Sequence, residues 1–297
     1  MPRDVTIKEI LPRITPVSVF SVDVEDWFHI LDIPGGPPLA EWASLPSRVE
    51  KNFLRLLDMF SEHHATTTCF FLGWVAERFP HLVREAADRG HEIASHGFSH
   101  RLVYEMNRGE FLEDVTRARA LLEDLTGTPV AGYRAAGFSA TEKTPWFFEA
   151  LLEAGYRYDS SVFPAQRGHG GMQSSPRLPH WIGSESEGIL EFPITVADFF
   201  GKPLCFFGGG YLRLCPYWLI RRMSRRVIGA GQPVFFYIHP REIDPSHPHL
   251  AMNAHRHFKS YVNLESTEKK IDHILRDFPV TTFRALMENM AAGGRTL

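Results

Sequence analysis

One joint recurs along this chain: an amphipathic helix, a glycine, then an apolar strand. It stands at Ala87-Asp88-Arg89-Gly90-His91-Glu92-Ile93, at Leu125-Thr126-Gly127 ahead of Val130, and at Glu153-Ala154-Gly155-Tyr156. It returns at Gly229-Ala230-Gly231 ahead of the run Pro233 to Ile238. Glycine just past a helix end takes the left-handed conformation at little cost, so each joint predicts a helix stop. Helix starts are legible as well. Ser47-Arg48-Val49-Glu50 has capping-box spacing ahead of Phe53, Leu54, Leu57 and Phe60, and Thr144-Pro145 offers a cap followed by proline. Strands and helices in alternation imply parallel βα units. The strands are predicted near 17–24, 66–72, 91–95, 130–135, 156–160, 189–195, 233–239 and 280–284. That count suits a barrel better than an open sheet.

The alternation breaks twice. Residues 162–188 carry Gln166-Arg167-Gly168-His169-Gly170-Gly171 and Ser174-Ser175-Pro176, and 244–260 carry Pro245, Pro248 and four histidines. Long loops in compact domains are commonly functional. Both leave strands that bear candidate site residues, so they are predicted to wall a substrate groove. No stretch has linker composition, which predicts one domain over about 17–285. With 44% hydrophobic residues the chain can bury a sizeable core.

Lys+Arg 32 against Asp+Glu 35, without a long run of either sign, argues against nucleic acid or an anionic membrane as the main partner. Cys69, Cys205 and Cys215 form no CxxC pair, and an odd count argues against a disulfide framework. Cys69, inside Thr68-Cys69-Phe70-Phe71-Leu72, reads as a buried apolar residue. Arg3, Asp4, Lys8, Glu9 and Arg13 interrupt the N-terminus, so no secretory signal is expected, and no segment is apolar enough to span a membrane. The expected place of work is the cytoplasm or its inner membrane face.

The chemistry-bearing block is His96-Gly97-Phe98-Ser99-His100, directly after a short predicted strand. Two imidazoles four apart on a bent turn can share one divalent metal, and a hydrolytic metal usually takes a third protein ligand and keeps one position open. Asp23-Val24-Glu25-Asp26, ending the apolar run Val17 to Val22, can supply it. Glu25 shares a strand face with Asp23 and is the first choice, with Asp26 the alternative if the strand ends earlier. In a parallel barrel the C-terminal strand ends converge on one rim. Asp23, Glu25, His96, His100, Arg134, Asp159 and His239 all fall at such ends.

In this order these motifs resemble the polysaccharide deacetylase family, the metal-dependent N-deacetylases of carbohydrate esterase family 4. The resemblance covers roughly residues 17–285. Gly208-Gly209-Gly210-Tyr211-Leu212-Arg213, Phe236 to Pro245 and Tyr261-Val262-Asn263-Leu264 are similar to the branch found in bacterial exopolysaccharide loci of the exosortase type, so the part from about 200 is expected to be specific to that branch. The resemblance implies a distorted, incomplete (β/α) barrel of about seven parallel strands. It implies Asp23 as catalytic base, Arg134 as the cation pairing it, His239 as general acid and Asp159 as the acid tuning His239. The metal ligands would be His96, His100 and Glu25 or Asp26, with Zn2+ the default and Co2+ or Ni2+ able to substitute. Val24 stands where the family shows a second aspartate, and Ala135, Ala136 and Gly137 replace a Pro-Pro-Tyr pattern, with a backbone N–H near Gly137 left as oxyanion donor. Trp27, Phe28, Trp181 and Tyr211 are candidate sugar-stacking aromatics. The implied substrate is an N-acetylated amino-sugar glycan or a lipid-linked precursor. The rival readings are hydrolysis of a cyclic amide or small N-acyl metabolite, and a glycan-binding barrel without turnover.

Overall fold

The computed structural model describes residues 7–9, 17–31, 33–165, 170–184 and 186–291, so Gln166 to His169 of the first predicted loop and most of the N-terminal charges lie outside it. The strands are β1 (Ile7–Glu9), β2 (Ser18–Val24), β3 (Thr68–Phe71), β4 (Glu92–Ser95), β5 (Gly132–Tyr133), β6 (Tyr158–Asp159), β7 (His180–Ile182), β8 (Ile189–Glu191), β9 (Ala197–Phe199), β10 (Lys202–Leu204), β11 (Val234–Ile238) and β12 (Val280–Thr281). The helices are α1 (Val49–Glu62), α2 (Gly73–Arg78), α3 (Pro80–Asp88), α4 (Arg108–Thr126), α5 (Phe147–Glu153), α6 (Gly209–Leu214), α7 (Tyr217–Gly229), α8 (Ala254–Tyr261), α9 (Thr267–Asp277) and α10 (Phe283–Ala291).

One curled sheet runs β1-β7-β8-β6-β5-β4-β3-β2-β11, with β12 beside the first residues of β2. From β8 to β11 every pairing is parallel, and only β7 and β1 run antiparallel at one edge. The architecture is the incomplete barrel that the resemblance implied, and each of the eight predicted strands is present. The strand periodicity of two splits the core accordingly. Phe20, Val22 and Val24 of β2 face the helices with Phe53, Leu56 and Leu57 of α1. Val19 of β2 faces inward with Phe70, Ala94, Tyr158 and Phe235, and Phe283 at the start of α10 plugs that base. Its ring lies 5.0 Å from Phe235 and 5.1 Å from Phe192. Above the plug, the inward residues of β2 turn polar: Ser21, then Asp23. The closed apolar base therefore leaves the chemistry at one rim.

The glycines act as predicted. Gly127 ends α4 at φ 66°, and Gly90, Gly155 and Gly231 take the same left-handed turn. Two starts differ. Ser47 makes no capping box on α1; its hydroxyl goes to Asp26, and α5 begins at Phe147 rather than at Pro145. The two breaks are also less bare than expected. β7 lies in the first and α8 in the second, and the hairpin β9–β10 was not anticipated. Cys69 is buried as expected, its thiol pushed up to about 12 mainly by burial.

Candidate active site

Pairing of β11 with β2 sets Ile238 opposite Val22, so the next residues, His239 and Asp23, arrive side by side at the rim. Arg134 leaves the end of β5 and lies wholly buried below them. Its Nη1 donates to Asp23 Oδ1 at 2.7 Å and to Ser21 Oγ at 2.9 Å, and its Nη2 donates to Ser160 Oγ at 3.1 Å. The guanidinium also sits 4.1 Å over the Phe70 ring, a favourable cation–π contact. This is no surface salt bridge. Nη1 holds Asp23 Oδ1 while Ser21 and Ser160 take the other bonds, and Asp23 Oδ2 is left facing the rim.

His96 ends β4. Its Nδ1 donates to the Arg134 carbonyl at 2.7 Å, which fixes the tautomer and leaves Nε2 as a lone-pair donor. Burial foremost holds its ring pKa down at about 4, so the imidazole stays neutral. The turn to His100 is clamped from α4. Asp114 accepts from the Phe98 amide at 2.7 Å, from the Ser99 amide at 3.0 Å and from the Ser99 hydroxyl. Gly97 is required here: φ is 74°, and a Cβ would lie 2.9 Å from Asp114 Oδ2. His100 itself takes φ 55°, a strained conformation that aims its ring back at the strand end.

Ligand atoms of Glu25, His96 and His100 lie within 4.8 Å of one another, and all three residues are buried. Glu25 Oε2 is 2.6 Å from His100 Nε2 yet makes no hydrogen bond of proper geometry. A buried carboxylate oxygen with no proton aimed at it, beside two ring nitrogens, is a donor set that a divalent cation fits. Burial pushes the Glu25 carboxyl up, but His100 and His239 outweigh it and hold it well below the usual range. Asp26 takes no part. Its oxygens accept from the amides of Trp27 at 2.8 Å and Arg48 at 3.0 Å, capping a short 3-10 turn and the start of α1. Of the two acids, Glu25 is the one grouped with the histidines: β2 stops at Val24, the Glu25 amide turns back to the Asp23 carbonyl at 3.0 Å, and Asp26 is spent on capping.

The tuning acid must also be reassigned. Asp159 bonds to Ser161 and shares a buried carboxyl pair with Glu191, and it makes no contact with His239. The partner of His239 Nδ1 is Glu242, at 2.6 Å, and Glu242 Oε2 in turn accepts from Arg213 Nε at 2.8 Å. Burial would raise Glu242, but Arg213 and His239 together hold it at about 2. His239 Nε2 is left pointing to the rim, 3.9 Å from Asp23 Oδ2 and 3.6 Å from Glu25 Oε1. Burial would depress this ring; Glu25, Glu242 and Asp23 overcome it and raise its pKa. A signal for Glu242 existed: Pro240 starts a helical turn, which places an acid three residues on beside the histidine ring.

The rim opens into a cleft of about 820 Å³. Of the candidate aromatics only Tyr211 lines it, together with Gly137. Trp27 and Phe28 are buried, with Trp27 Nε1 donating to the Pro46 carbonyl. Trp181 packs at the inner base from β7. Aromatic identity alone does not tell core from platform. A residue the sequence did not flag, His29, also lines the cleft. Its Nδ1 accepts from the Asp26 amide, so the proton sits on Nε2, which meets no protein acceptor. The first predicted loop contributes Phe163 to the wall, and the second contributes Arg256, Phe258 and Lys259.

Comparison with known proteins agrees with this geometry. Residues 44–158 match the polysaccharide deacetylase family profile, and residues 160–288 match a domain of unknown function, DUF3473. The first of these segments is thus similar to polysaccharide deacetylases over about 115 residues. A Helicobacter pylori peptidoglycan deacetylase is 32% identical over 108 residues, 36% of each chain. A Bacillus cereus peptidoglycan-N-acetylglucosamine deacetylase is 33% identical over 73 residues, 25% of this chain and 26% of its own. The alignments thus span about a third or less of these relatives' lengths. Among solved structures, a Mycobacterium smegmatis protein assigned to the polysaccharide deacetylases shares the fold at TM-score 0.65, with 20% identity over 99% of this chain and 98% of its own. The allantoinase PuuE does so at TM-score 0.64, with 17% identity over 100% and 99%. Asp23 and Glu25 precede the first matched segment, His96, His100 and Arg134 lie in it, and His239 and Glu242 lie in the second. The rim draws on all three stretches.

Proposed function

We propose that this protein is a divalent-metal-dependent hydrolase that removes N-acetyl groups from amino sugars in bacterial exopolysaccharide assembly, acting as one catalytic domain. One observation carries the reading. A His-His-carboxylate donor set, a second carboxylate locked by a buried arginine, and an imidazole backed by a buried acid meet at one cleft floor. A cation held by Glu25, His96 and His100, with zinc the default and cobalt or nickel able to substitute, would polarise the acyl oxygen and acidify a water. Asp23 Oδ2 takes the water proton as general base, since Oδ1 is committed to Arg134. His239, its Nδ1 held by Glu242, delivers the Nε2 proton to the leaving amine. Arg134 holds Asp23 in orientation through the 2.7 Å bond to Oδ1.

The exopolysaccharide setting is supported by the motif resemblance around 208–213 and 236–264. A lipid-linked sugar as substrate is supported by a Shewanella sediminis protein, 28% identical over 114 residues, assigned as a 4-deoxy-4-formamido-L-arabinose-phosphoundecaprenol deformylase. Cyclic-amide hydrolysis is the second reading, favoured by the fold shared with an allantoinase. A barrel without turnover is disfavoured by the intact base, acid and donor set. Metal-loaded protein is expected to release acetate from N-acetylglucosamine oligomers. Ring opening of a cyclic amide without acetate release from any acetylated sugar would replace this reading with the second.

A further inference from the structure

The chain's near-balanced charge hides a local segregation. Helix α7 carries Arg221, Arg222, Arg225 and Arg226 and no acidic residue. Arg221 pairs with Asp277, and Arg226 donates to the Asp198 carbonyl of β9. Arg222 and Arg225 are exposed and pair with no carboxylate among the described residues. With Trp218 they recur at helical spacing, i, i+4 and i+7, and so share the solvent face. Trp218 is 66% exposed there.

The hairpin β9–β10 sits against this helix, with Phe199 among Arg222, Arg225 and Arg226. Its tip is Phe200-Gly201, both at positive φ, 49° and 75°. Such two-residue turns favour Asn-Gly or Gly-Gly, and a bulky side chain at positive φ is strained. Here that position holds a phenylalanine 92% exposed to solvent. Its ring meets the Phe199 ring edge-on at 4.6 Å and otherwise stands in solvent, and turn geometry calls for no aromatic here. Leu214 and Tyr211, 44% and 42% exposed, continue the apolar surface from α7 along α6 into the lining of the cleft.

We infer that this face docks on an anionic lipid bilayer, with Phe200 and Trp218 entering the interfacial region and Arg222 and Arg225 meeting lipid phosphates. Exposed aromatics beside unpaired arginines are the composition of an interfacial anchor. Docking this way brings the cleft mouth to the membrane surface. The inference does not rest on the deacetylase reading, since it concerns a surface outside the site.

The test is flotation of the purified full chain with vesicles of phosphatidylglycerol and phosphatidylethanolamine, against vesicles of phosphatidylcholine alone. Binding is expected only to the anionic vesicles and to weaken with added salt. Arg222→Glu/Arg225→Glu and Phe200→Ser/Trp218→Ser should each reduce the partition coefficient at least about tenfold, given roughly 1 kcal/mol for each basic residue at such a surface. Melting temperature should stay at the wild-type value in both. Absence of vesicle binding, equal binding to neutral vesicles, or wild-type binding by both variants would overturn the inference. So would a concentration-dependent dimer, seen by light scattering and lost in Phe200→Ser/Trp218→Ser, which would give the face to a second copy.

Discussion

Glu242→Gln separates the two duties of one buried acid. Glu242 is fully buried between Arg213 and His239, each within 2.8 Å. The amide keeps the shape but removes the charge. A carboxylate against an imidazole favours the protonated ring, so losing it lowers the His239 pKa, by about 1–3 pH units for an opposite charge this close. The general acid must carry its proton, so activity is lost as pH rises through that pKa. The alkaline limb of kcat/KM should therefore move to lower pH by that amount. The same substitution strands Arg213, which is 2% exposed. Breaking a buried pair from one side costs about 3–5 kcal/mol, or roughly 6–20 °C of melting temperature in a chain of this size. Part of that loss is moderated because Arg213 still donates to the Ser260 and Lys259 carbonyls. Glu242→Asp, which retains the charge, should keep the limb within about half a pH unit of wild type. Assays over pH 5–10, run well below each variant's melting temperature, decide the matter. An unmoved limb in folded Glu242→Gln would refute the reasoning and leave Glu242 as a structural partner of Arg213 only.

Other outcomes follow from the same rim. His96→Ala/His100→Ala should abolish stoichiometric metal in folded protein, measured by elemental analysis; unchanged metal content would remove the ligand assignment. Asp23→Asn should keep metal and fold yet lose about 10²–10⁴ in rate, because an amide cannot accept the water proton. His239→Ala should lose far more on an amide than on an activated aryl acetate ester, whose leaving group needs no proton; equal losses would mark a binding or structural role. Burial first, then the neighbouring Asp159, raises Glu191 well above the carboxylate range, which favours a proton shared by the pair. An acid with a raised folded pKa contributes stability that is lost as pH climbs from its unfolded toward its folded value. Glu191→Gln, a permanent donor to Asp159, should flatten that decline in melting temperature, and a pH profile unchanged from wild type would count against a shared proton.

What the sequence made legible follows the range of the forces involved. Helix stops and apolar strands are set by neighbours a few residues apart, so the βα alternation and every parallel strand could be read directly. The three-residue β7 and the hairpin β9–β10 owe their existence to partners supplied by the rest of the sheet and by α7, and they carry no comparable local signal. The site divides the same way. Strand alternation places Asp23, whereas Glu25 reaches the histidines from a turn just past the end of β2 and Asp26 is spent on capping, which the alternation rule alone does not give. Asp159 was misassigned because a strand-end acid reveals its rim but not its partner; the serine and acid it meets lie on its own side of the sheet. Trp27 and Trp181 failed as sugar platforms for a related reason, since an aromatic satisfies a core and a groove equally well. The Arg213–Glu242–His239 relay had one local clue, the His-Pro-Arg-Glu turn, while its arginine ends the 208–213 motif, which the resemblance groups with 236–245 without giving Arg213 a role. His239 and Asp23 meet only because β11 pairs with β2 in the register that sets Ile238 beside Val22. A one-residue slip of that pairing would leave both strands buried and both sequences unchanged, yet turn the acid away from the base. The register of two central strands, rather than the identity of either residue, is what converts an ordered set of motifs into a site.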